Sequence, residues 1–427
     1  MVLHNHVDKV LFHEGLRGVM KILYLHQYFR TPNEAGGTRS YEMARRLARF
    51  GHEVHIISSN IDVETADTSK WEVTKIEEIY IHQINLPYSN KLPYKERIKK
   101  FLTFAFRSAI YASKIPADVI LATSTPLTIA LPGIYIARRQ KIPMVFEVRD
   151  LWPELPIAMG AIKGPSAYMA KLLEIFAYRN SAHIIALSPD MKKGISKTGY
   201  PESRIHVIPN GSDLDLFDVS AKEKKAFREK FSWLGSNPLV LYAGTIGKIN
   251  GLEYMVWLAK ETLLHDPRIK FLVIGDGAEK EKVRNIAQNE GVFGINFFML
   301  DPMPKNEVAV AFATADLSLS LFIDLKEMWA NSANKFFDSL AAGTPVAINY
   351  RGWQADLIKH TGAGILLDPR DINYSADTLV RFLNDKSALE KAADAARRLA
   401  EEKFDRNKLA RELESVLLMA HGEKKSK

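Results

Sequence analysis

The chain of 427 residues contains no cysteine. Disulfide bonds, cysteine-ligated zinc or iron–sulfur centres and thiol nucleophiles are therefore excluded. No apolar run reaches the roughly 18 residues that a membrane-spanning helix needs. Residues 1–19 carry Asp8 and Glu14 and lack the apolar stretch of a secretion signal. We expect a cytoplasmic protein with an N-terminal extension over residues 1–19.

Several catalytic motifs are also missing. There is no GxxxxGK[ST] phosphate loop, no HExxH, no GxSxG and no cluster of histidines. These absences remove the simplest metalloprotease and hydrolase interpretations. The segment SDLDLF, residues 212–217, contains the acidic pattern of metal-dependent sugar transferases, but three-letter patterns are common and this one follows a strand at a domain boundary. We therefore predict no metal site and no cofactor.

What the sequence does have is a positive charge and a regular alternation of apolar runs with helical segments. The net charge of +8 and a pI of about 9.2 indicate an anionic partner, either a nucleotide, a nucleic acid or a membrane surface. Two consecutive sets of continuous apolar strands separated by helices predict two doubly wound parallel sheets. We place the N-terminal α/β domain at 20–213, a linker at 214–237, the second domain at 238–400 and a C-terminal helix and tail at 401–427. Ligands of such sheets bind at the carboxyl ends of the strands.

Three glycine-bearing turns lie between a strand and a helix, where backbone N–H groups can approach a phosphate. The glycines are Gly36, Gly37, Gly244, Gly247, Gly275 and Gly277. Lys248 lies in the second turn and can reach a phosphate as a mobile charge. None of the turns has the third glycine of a dinucleotide fingerprint, which argues against a nicotinamide-dependent oxidoreductase. The Gly36–Gly37 pair alone is equally consistent with an ordinary loop, and the alternative for Lys248 is a solvated loop lysine.

The segment NSANKFFDSLAAGTPV predicts a helix from Asn334 to Ala342 with polar residues in its first two turns. The helix start after Ser332 offers free N–H groups and the positive end of the helix dipole to an anion. In this interpretation Lys335 and the N–H groups hold a diphosphate, and Asp338 accepts hydrogen bonds from two ribose hydroxyls. The alternative is a helix cap with a surface Lys–Asp pair.

The strand PMVFEVR ends in charges, Arg149 and Asp150, followed by Trp152 and Glu154. Charges at the carboxyl end of a strand, next to an aromatic residue, are a reasonable position for an acid–base group. The alternative is a structural ion pair between Arg149 and Asp150.

Taken together and in this order, the motifs resemble the retaining glycosyltransferases of the GT4 family, which have the GT-B fold. The matching segments are AGGTRSYEMARRLARFGHEV, ALSPDMKKGI, VIPNGSDLDLF, YAGTIGKINGLE, FLVIGDGAEKEKV and NKFFDSLAAGTPVAI. RDLWPELP and NKFFDSLAAG are most similar to the branch that builds O-antigen, capsule and colanic-acid polysaccharides, with N-acetylfucosaminyl transferases as the nearest resemblance. The resemblance implies transfer with retention, by front-face attack, from a UDP-sugar without a metal.

The family's donor-site residues transfer only in part. The second acid of its Glu-x7-Glu motif falls at Asp338, whereas the first falls at Ala330, with Glu327 one helical turn away. The Arg and Lys of the phosphate clamp fall at Thr245 and Asn250. The resemblance therefore leaves Lys248 and Lys335 to supply the positive charge.

On the acceptor side, a position that is often histidine in the family falls near Asp150, which we expect to orient or deprotonate the acceptor hydroxyl. Arg39 stands where many members have Glu and is expected to meet an acceptor phosphate, with Arg149 and Glu154 nearby. The donor is expected to contact the six glycines, Ser332, Asn334 and Asp338.

The resemblance implies an acceptor linked to undecaprenyl diphosphate and hence peripheral contact with the inner face of the cell membrane. The segment KLPYKERIKKFLTFAFRSAIYASK is basic and aromatic, which fits an anionic bilayer and equally a helix packed on a sheet. No nucleic-acid partner is expected. A UDP-sugar 2-epimerase and a non-catalytic sugar-nucleotide-binding protein remain as alternatives; Ala330 argues against the first and is compatible with the second.

Overall fold

The structure, a computed structural model, describes residues 18–32, 34, 36–89 and 92–425. The predicted N-terminal extension lies outside the described residues except for Gly18 and Val19, as does the last part of the predicted tail. Two α/β units follow one another along the chain, each built on its own sheet.

The N-terminal unit is a sheet with helices on both faces. Its strands are β1 (Lys21–Leu25), β2 (Glu53–Asn60), β3 (Asp67–Ile76), β4 (Ile79–Asn85), β5 (Val119–Thr123), β6 (Met144–Val148), β7 (His183–Ala186) and β8 (Ile205–Val207). Its helices are α1 (Arg39–Arg49), α2 (Tyr94–Ala112), α3 (Ala130–Gln140), α4 (Glu154–Ala158), α5 (Pro165–Arg179) and α6 (Pro189–Ser196). Short 3-10 turns occur at Leu127–Ile129 and Glu202–Arg204.

The strand order of this sheet is β3-β4-β2-β1-β5-β6-β7-β8. Strands β5, β6 and β7 are buried along their whole length, as expected for parallel strands covered on both faces. The exception is β3, an exposed edge strand that pairs antiparallel with β4. The sequence analysis missed β3 because its polar residues do not form the continuous apolar run used to find the other strands.

The C-terminal unit is a parallel sheet with the order β11-β10-β9-β12-β13-β14. Its strands are β9 (Leu239–Ala243), β10 (Lys270–Ile274), β11 (Phe297–Leu300), β12 (Leu317–Ser320), β13 (Val346–Ile348) and β14 (Gly364–Leu366). The helices are α7 (Ala221–Glu229), α8 (Glu253–His265), α9 (Lys280–Asn289), α10 (Lys305–Thr314), α11 (Asn334–Ala341), α12 (Trp353–Thr361), α13 (Ile372–Asn384) and α14 (Lys386–Leu399). Two 3-10 turns, Lys248–Asn250 and Lys326–Ala330, precede α8 and α11.

The segment predicted as a linker, 214–237, is folded. It contains a 3-10 turn, Leu214–Phe217, and α7, whose start is closed by a capping box between Ser220 and Glu223. Phe227 and Leu234 are buried in the C-terminal core. The segment is therefore part of the C-terminal unit, and its polar composition reflects the exposed face of α7.

The chain passes between the two units twice, and the two passages lie side by side. The N–H of Ser212 donates to the carbonyl of Phe404 at 3.1 Å, and the N–H of Arg406 donates to the carbonyl of Ser212 at 3.3 Å. Arg406 also pairs with Asp213 at 2.7 Å, and Arg46 of α1 pairs with the same carboxylate. Although burial opposes its charge, these guanidinium groups hold the pKa of Asp213 below its ordinary value.

The second passage leads into α15 (Arg406–Lys425), which returns to the N-terminal unit and packs beside α1. Its apolar face belongs to the N-terminal core; the residues are Leu409, Ala410, Leu413, Val416, Leu417 and Ala420. His52 lies 3.1 Å from Glu414 of α15 and accepts from the N–H of Met20, which fixes the helix against the edge of the sheet. The last described helix thus completes the unit formed first along the chain.

We predict that Leu413→Ala destabilises the protein by about 2–5 kcal/mol, because it leaves a cavity where a fully buried side chain packs. The shift of the denaturant-unfolding midpoint measures this cost. The matched control is Met419→Ala on the same helix, since Met419 is 44% exposed and its loss should change stability little. Equal effects of the two substitutions would contradict the docking of α15.

Candidate functional site

The predicted turns of the two units meet in a cleft. Gly37 follows β1, Arg149 follows β6, and Asn334 begins α11 of the other unit. A Cβ atom at Gly37 would lie 3.4 Å from Nη2 of Arg149 and 3.9 Å from Nδ2 of Asn334. Three motifs predicted separately from the sequence therefore converge on one point between the sheets, and glycine leaves that point open.

The start of α11 is anchored to the N-terminal unit. The N–H of Asn210 donates to Oγ of Ser332 at 3.1 Å, and its side-chain amide donates to the carbonyl of Ser332 at 2.6 Å. The N-cap residue is Ala333, which has no side chain to satisfy the first N–H groups of the helix. Asn334 is exposed. Ser332 therefore fixes the helix start. The first N–H groups of α11, which no side chain caps, are candidates to bind an anion.

Lys335 lies over the glycine turn of the C-terminal unit. A Cβ atom at Gly244 would be 3.2 Å from its Cε, and its Nζ is 4.7 Å from the ring centre of Tyr242 and 5.5 Å from that of Phe322. With the Asn250 amide oriented so that both its atoms are satisfied, its oxygen accepts from Nζ at 3.2 Å. Burial lowers the pKa of Lys335 to about 8. The ammonium group is held by aromatic faces and an amide, which leaves it available to an anionic ligand.

The other predicted glycines divide into two kinds. A Cβ atom at Gly275 would lie 2.0 Å from the carbonyl oxygen of Gly244, and one at Gly277 would lie 2.3 Å from that of Ile246. Both glycines therefore allow two backbone turns to touch, which is a packing role. The sequence analysis had predicted that they contact the donor. Gly244 is exposed at the cleft, and Gly247 leads into the 3-10 turn that begins with the exposed Lys248.

Asp150 is exposed to the cleft, and the surrounding protein partly shields its carboxylate from water. Oγ1 of Thr125 donates to its carboxylate at 3.3 Å. Desolvation raises the pKa of Asp150, and the neighbouring Arg149 opposes that rise. Arg149 in turn donates to Nε2 of His26 at 3.3 Å; burial first and this guanidinium second keep the pKa of His26 well below its ordinary value. A carboxylate with a raised pKa in a cleft is suited to accept a proton.

Asp338 differs from the prediction in its surroundings. It is 5% exposed, and its carboxylate accepts from Oγ of Ser212 at 2.7 Å and pairs with Lys305 of α10. These contacts join α11 to the passage between the units. The ribose contact stays a prediction, and it requires Lys305, whose side chain is 44% exposed, to release one oxygen.

The prediction that Arg39 meets an acceptor phosphate is wrong in this structure. Arg39 is 3% exposed, and Nε and Nη2 donate to Glu147 at 3.0 and 2.9 Å. Its remaining donors reach the carbonyls of Ile208 and Pro209 at 2.9 and 2.7 Å. Because every nitrogen of the guanidinium is used inside the protein, Arg39 is a structural residue that ties α1 to β6 and β8. Glu154 pairs with Lys171 of α5, and its acceptor role stays a prediction.

Arg39→Ala should destabilise the protein by about 3–5 kcal/mol, because it leaves Glu147 buried without its partner. Arg381→Ala is the matched control, since Arg381 is 78% exposed in an i,i+4 pair worth about 0.5 kcal/mol or less. Denaturant unfolding compares the two. A residue that only bound an acceptor would leave stability unchanged, so an unfolding free energy equal to that of wild type would restore the original interpretation.

A cavity of about 490 Å³ lies beside Gly36 and Gly37 on the N-terminal side of the cleft. Its lining includes Tyr28, Tyr88, Arg97, Phe101, Thr125 and Trp152. Thr125 connects this cavity to Asp150, and Nε of Arg97 donates to the hydroxyl of Tyr88 at 2.9 Å. The sequence analysis named Trp152 beside Asp150 but did not assign the other five residues to this site, because they come from separate segments that carry no shared local pattern. Among the described residues, no group of three His, Asp or Glu side chains is arranged to hold a metal ion.

Comparison with known proteins gives the family of each half. Residues 36–216 match Glycosyltransferase Family 4, and residues 223–399 match Glycosyl transferases group 1. The alpha-monoglucosyldiacylglycerol synthase of Streptococcus pneumoniae is 23% identical over 81% of this chain and 74% of its own length. The UDP-Gal:alpha-D-GlcNAc-diphosphoundecaprenol alpha-1,3-galactosyltransferase of Escherichia coli is 25% identical over 51% of this chain and 55% of its own.

The crystal structure of Anabaena Alr3699/HepE in complex with UDP and glucose matches with a TM-score of 0.70 at 16% identity. The match covers 94% of this chain and 100% of that one, so the similarity includes both units and their arrangement. The family matches follow the same order along the chain as the two sheets. The chain is a glycosyltransferase with the GT-B fold, a Glycosyltransferase Family 4 domain followed by a Glycosyl transferases group 1 domain.

Proposed function

We propose that this enzyme transfers a sugar, an N-acetylated amino sugar, from a UDP donor to a lipid-linked saccharide in surface polysaccharide biosynthesis. Transfer proceeds with retention and without a metal. The observation that carries the proposal is the convergence of Gly37, Arg149 and Asn334 at one point, with Lys335 over the adjacent turn. That convergence supports an anion site at the start of α11, with Asp150, the neighbour of Arg149 in the chain, as the acid–base candidate.

The donor diphosphate lies, in this proposal, between the start of α11 and the turn at Gly244. Lys335 and the first N–H groups of α11 stabilise the negative charge that develops on the leaving UDP, and Lys248 adds a mobile charge. The crystal structure of HepE, which has a similar fold, was determined in complex with UDP and glucose. This complex supports a UDP-sugar as the donor. Asp338 accepts from the ribose after Lys305 moves away.

The acceptor occupies the cavity beside Gly36 and Gly37. Trp152 and Tyr28 offer ring faces to a sugar, Arg97 offers positive charge to a phosphate, and Asp150 accepts the proton of the attacking hydroxyl. The galactosyltransferase of Escherichia coli that resembles this chain acts, by its name, on a sugar linked to diphosphoundecaprenol. We therefore propose an undecaprenyl-diphosphate saccharide and a position at the inner face of the cell membrane. No helix in the described part of the chain is long and apolar enough to cross a bilayer.

A non-catalytic sugar-nucleotide-binding protein is the second candidate, and Ala330 favours it. The position of the first acid carries this buried alanine, whose carbonyl accepts from Ser188 at 2.6 Å, so no carboxylate meets the donor sugar there. The two candidates differ in one respect: both bind UDP, and the enzyme alone also turns over a UDP-sugar.

The first experiment measures the affinity for UDP between pH 7 and 9 by calorimetry, with GDP and TDP for comparison. Since burial lowers the pKa of Lys335 to about 8, the free protein loses this charge as the pH rises through 8. Binding of an anion must then take up a proton, and affinity should fall by up to about tenfold per pH unit above 8. In Lys335→Arg, which stays charged, the decline should disappear except for the titration of the nucleotide itself. A decline of the same size in both proteins would remove Lys335 from the donor site, and no response to any nucleotide would refute the donor site as a whole.

Asp150→Asn should lower kcat about 10²- to 10⁴-fold with little change in UDP affinity, because the amide cannot accept the acceptor's proton. Turnover of UDP-sugars with a short-chain prenyl-diphosphate saccharide is the measurement. Asp394→Asn, at an exposed position on α14, is the matched control and should retain full activity. Full activity in Asp150→Asn would show that another group is the base, and UDP binding by wild type without any turnover would favour the binding protein.

A further inference from the structure

One face of the N-terminal unit exposes apolar side chains that no described element covers. On α5 the exposed fractions are 66% for Tyr168, 62% for Met169, 43% for Leu172 and 40% for Phe176. Their spacing of one, three and four residues puts them along one side of the helix. Large apolar side chains in a continuous exposed stripe indicate an interaction surface.

Helices α2 and α3 continue this surface. On α2, Leu102 is 50%, Phe106 is 64% and Ile110 is 45% exposed, whereas Phe101 and Phe104 are buried. The sequence analysis matched this segment equally to an anionic bilayer and to a helix packed on a sheet, and α2 has both a buried and an exposed side. Helix α3 packs against both α2 and α5. It contributes Tyr135, which is 46% exposed, and Arg138, whose guanidinium lies 5.9 Å from the ring centre of Phe176.

The charge of this surface selects its partner. Helices α2, α3 and α5 together carry nine lysines and arginines and two glutamates, and one of the two, Glu174, is 1% exposed and pairs with Lys171. Exposed cations beside aromatic and aliphatic groups match an anionic lipid surface. A second copy of the chain fits less well, because a two-fold interface brings the same cations of both copies together.

We infer that the face formed by α2, α3 and α5 docks on an anionic bilayer, with the stripe of α5 entering the interface. The inference rests on the proposed lipid-linked acceptor and names the surface that meets its membrane. Arg97 and Phe101 of α2 line the acceptor cavity, and the next residue, Leu102, belongs to the exposed face. Docking by this face therefore brings the mouth of the cavity next to the headgroups from which a lipid-linked acceptor rises.

The test compares full-length proteins in co-sedimentation with vesicles of phosphatidylcholine alone or mixed with phosphatidylglycerol. The α5 variant carries Tyr168→Gln, Met169→Gln, Leu172→Gln and Phe176→Gln, substitutions that keep helix propensity. The matched control carries Trp257→Gln, Leu264→Gln and Ile295→Gln, exposed apolar positions of the C-terminal unit. Circular dichroism and thermal unfolding confirm that each variant is folded.

Wild type and control should bind the anionic vesicles, and the α5 variant should bind them at least about tenfold more weakly, because its apolar contribution is lost. Binding to neutral vesicles should be weak. Three results would overturn the inference: no binding by wild type, equal loss in both variants, or a dimer in gel filtration that only the α5 variant loses. Turnover of a water-soluble short-chain acceptor should be unchanged in the α5 variant. If wild type has no turnover but still binds vesicles, the proposed function fails while the docking face stands.

Discussion

The cleft depends on the paired passage of the chain between its two units. The N–H of Ser212 donates to the carbonyl of Phe404, and the carbonyl of Ser212 accepts from the N–H of Arg406. The two connections therefore form one junction. The carboxylate of Asp213, whose side chain is 18% exposed, is held there by arginines from α1 and α15. Removing one of these arginines would weaken the pairing of a carboxylate that is largely shielded from water, which is costly. The junction therefore holds the carboxyl edges of the two sheets opposite each other.

From this junction, polar contacts run to α11, the helix of the proposed donor site. Ser212 donates to Asp338, and Asn210 holds Ser332 at the start of α11. Asn210 and Ser212 thus fix the orientation of α11, whose first N–H groups lie at the cleft. A shift at the junction would reach the start of α11 through these contacts, so the relative position of the two units and the geometry of the proposed donor site are linked.

The sequence predicted the parallel sheets and most of the cleft residues, because apolar strands and glycine turns leave local patterns. Gly37, Arg149, Asp150, Asn334 and Lys335 were all placed correctly at strand ends or helix starts. The roles that failed or changed depend on partners distant in the chain. Arg39 is buried because it pairs with Glu147. The two residues are 108 positions apart in the chain, and no local pattern reveals that pair. The cavity residues around Tyr28 and Arg97, and the return of α15, are likewise products of tertiary packing.

The return of α15 has a consequence for how the protein is made. The N-terminal sheet emerges first from the ribosome, yet six apolar residues of its core arrive with residues 409–420. Until then, the face of β5 and β6 that α15 covers stays exposed to water. The C-terminal unit, which is continuous in sequence from the 3-10 turn at Leu214 to Phe404, has all of its core residues earlier. The domain synthesised second can therefore complete its core first, and α15 then completes the core of the N-terminal unit.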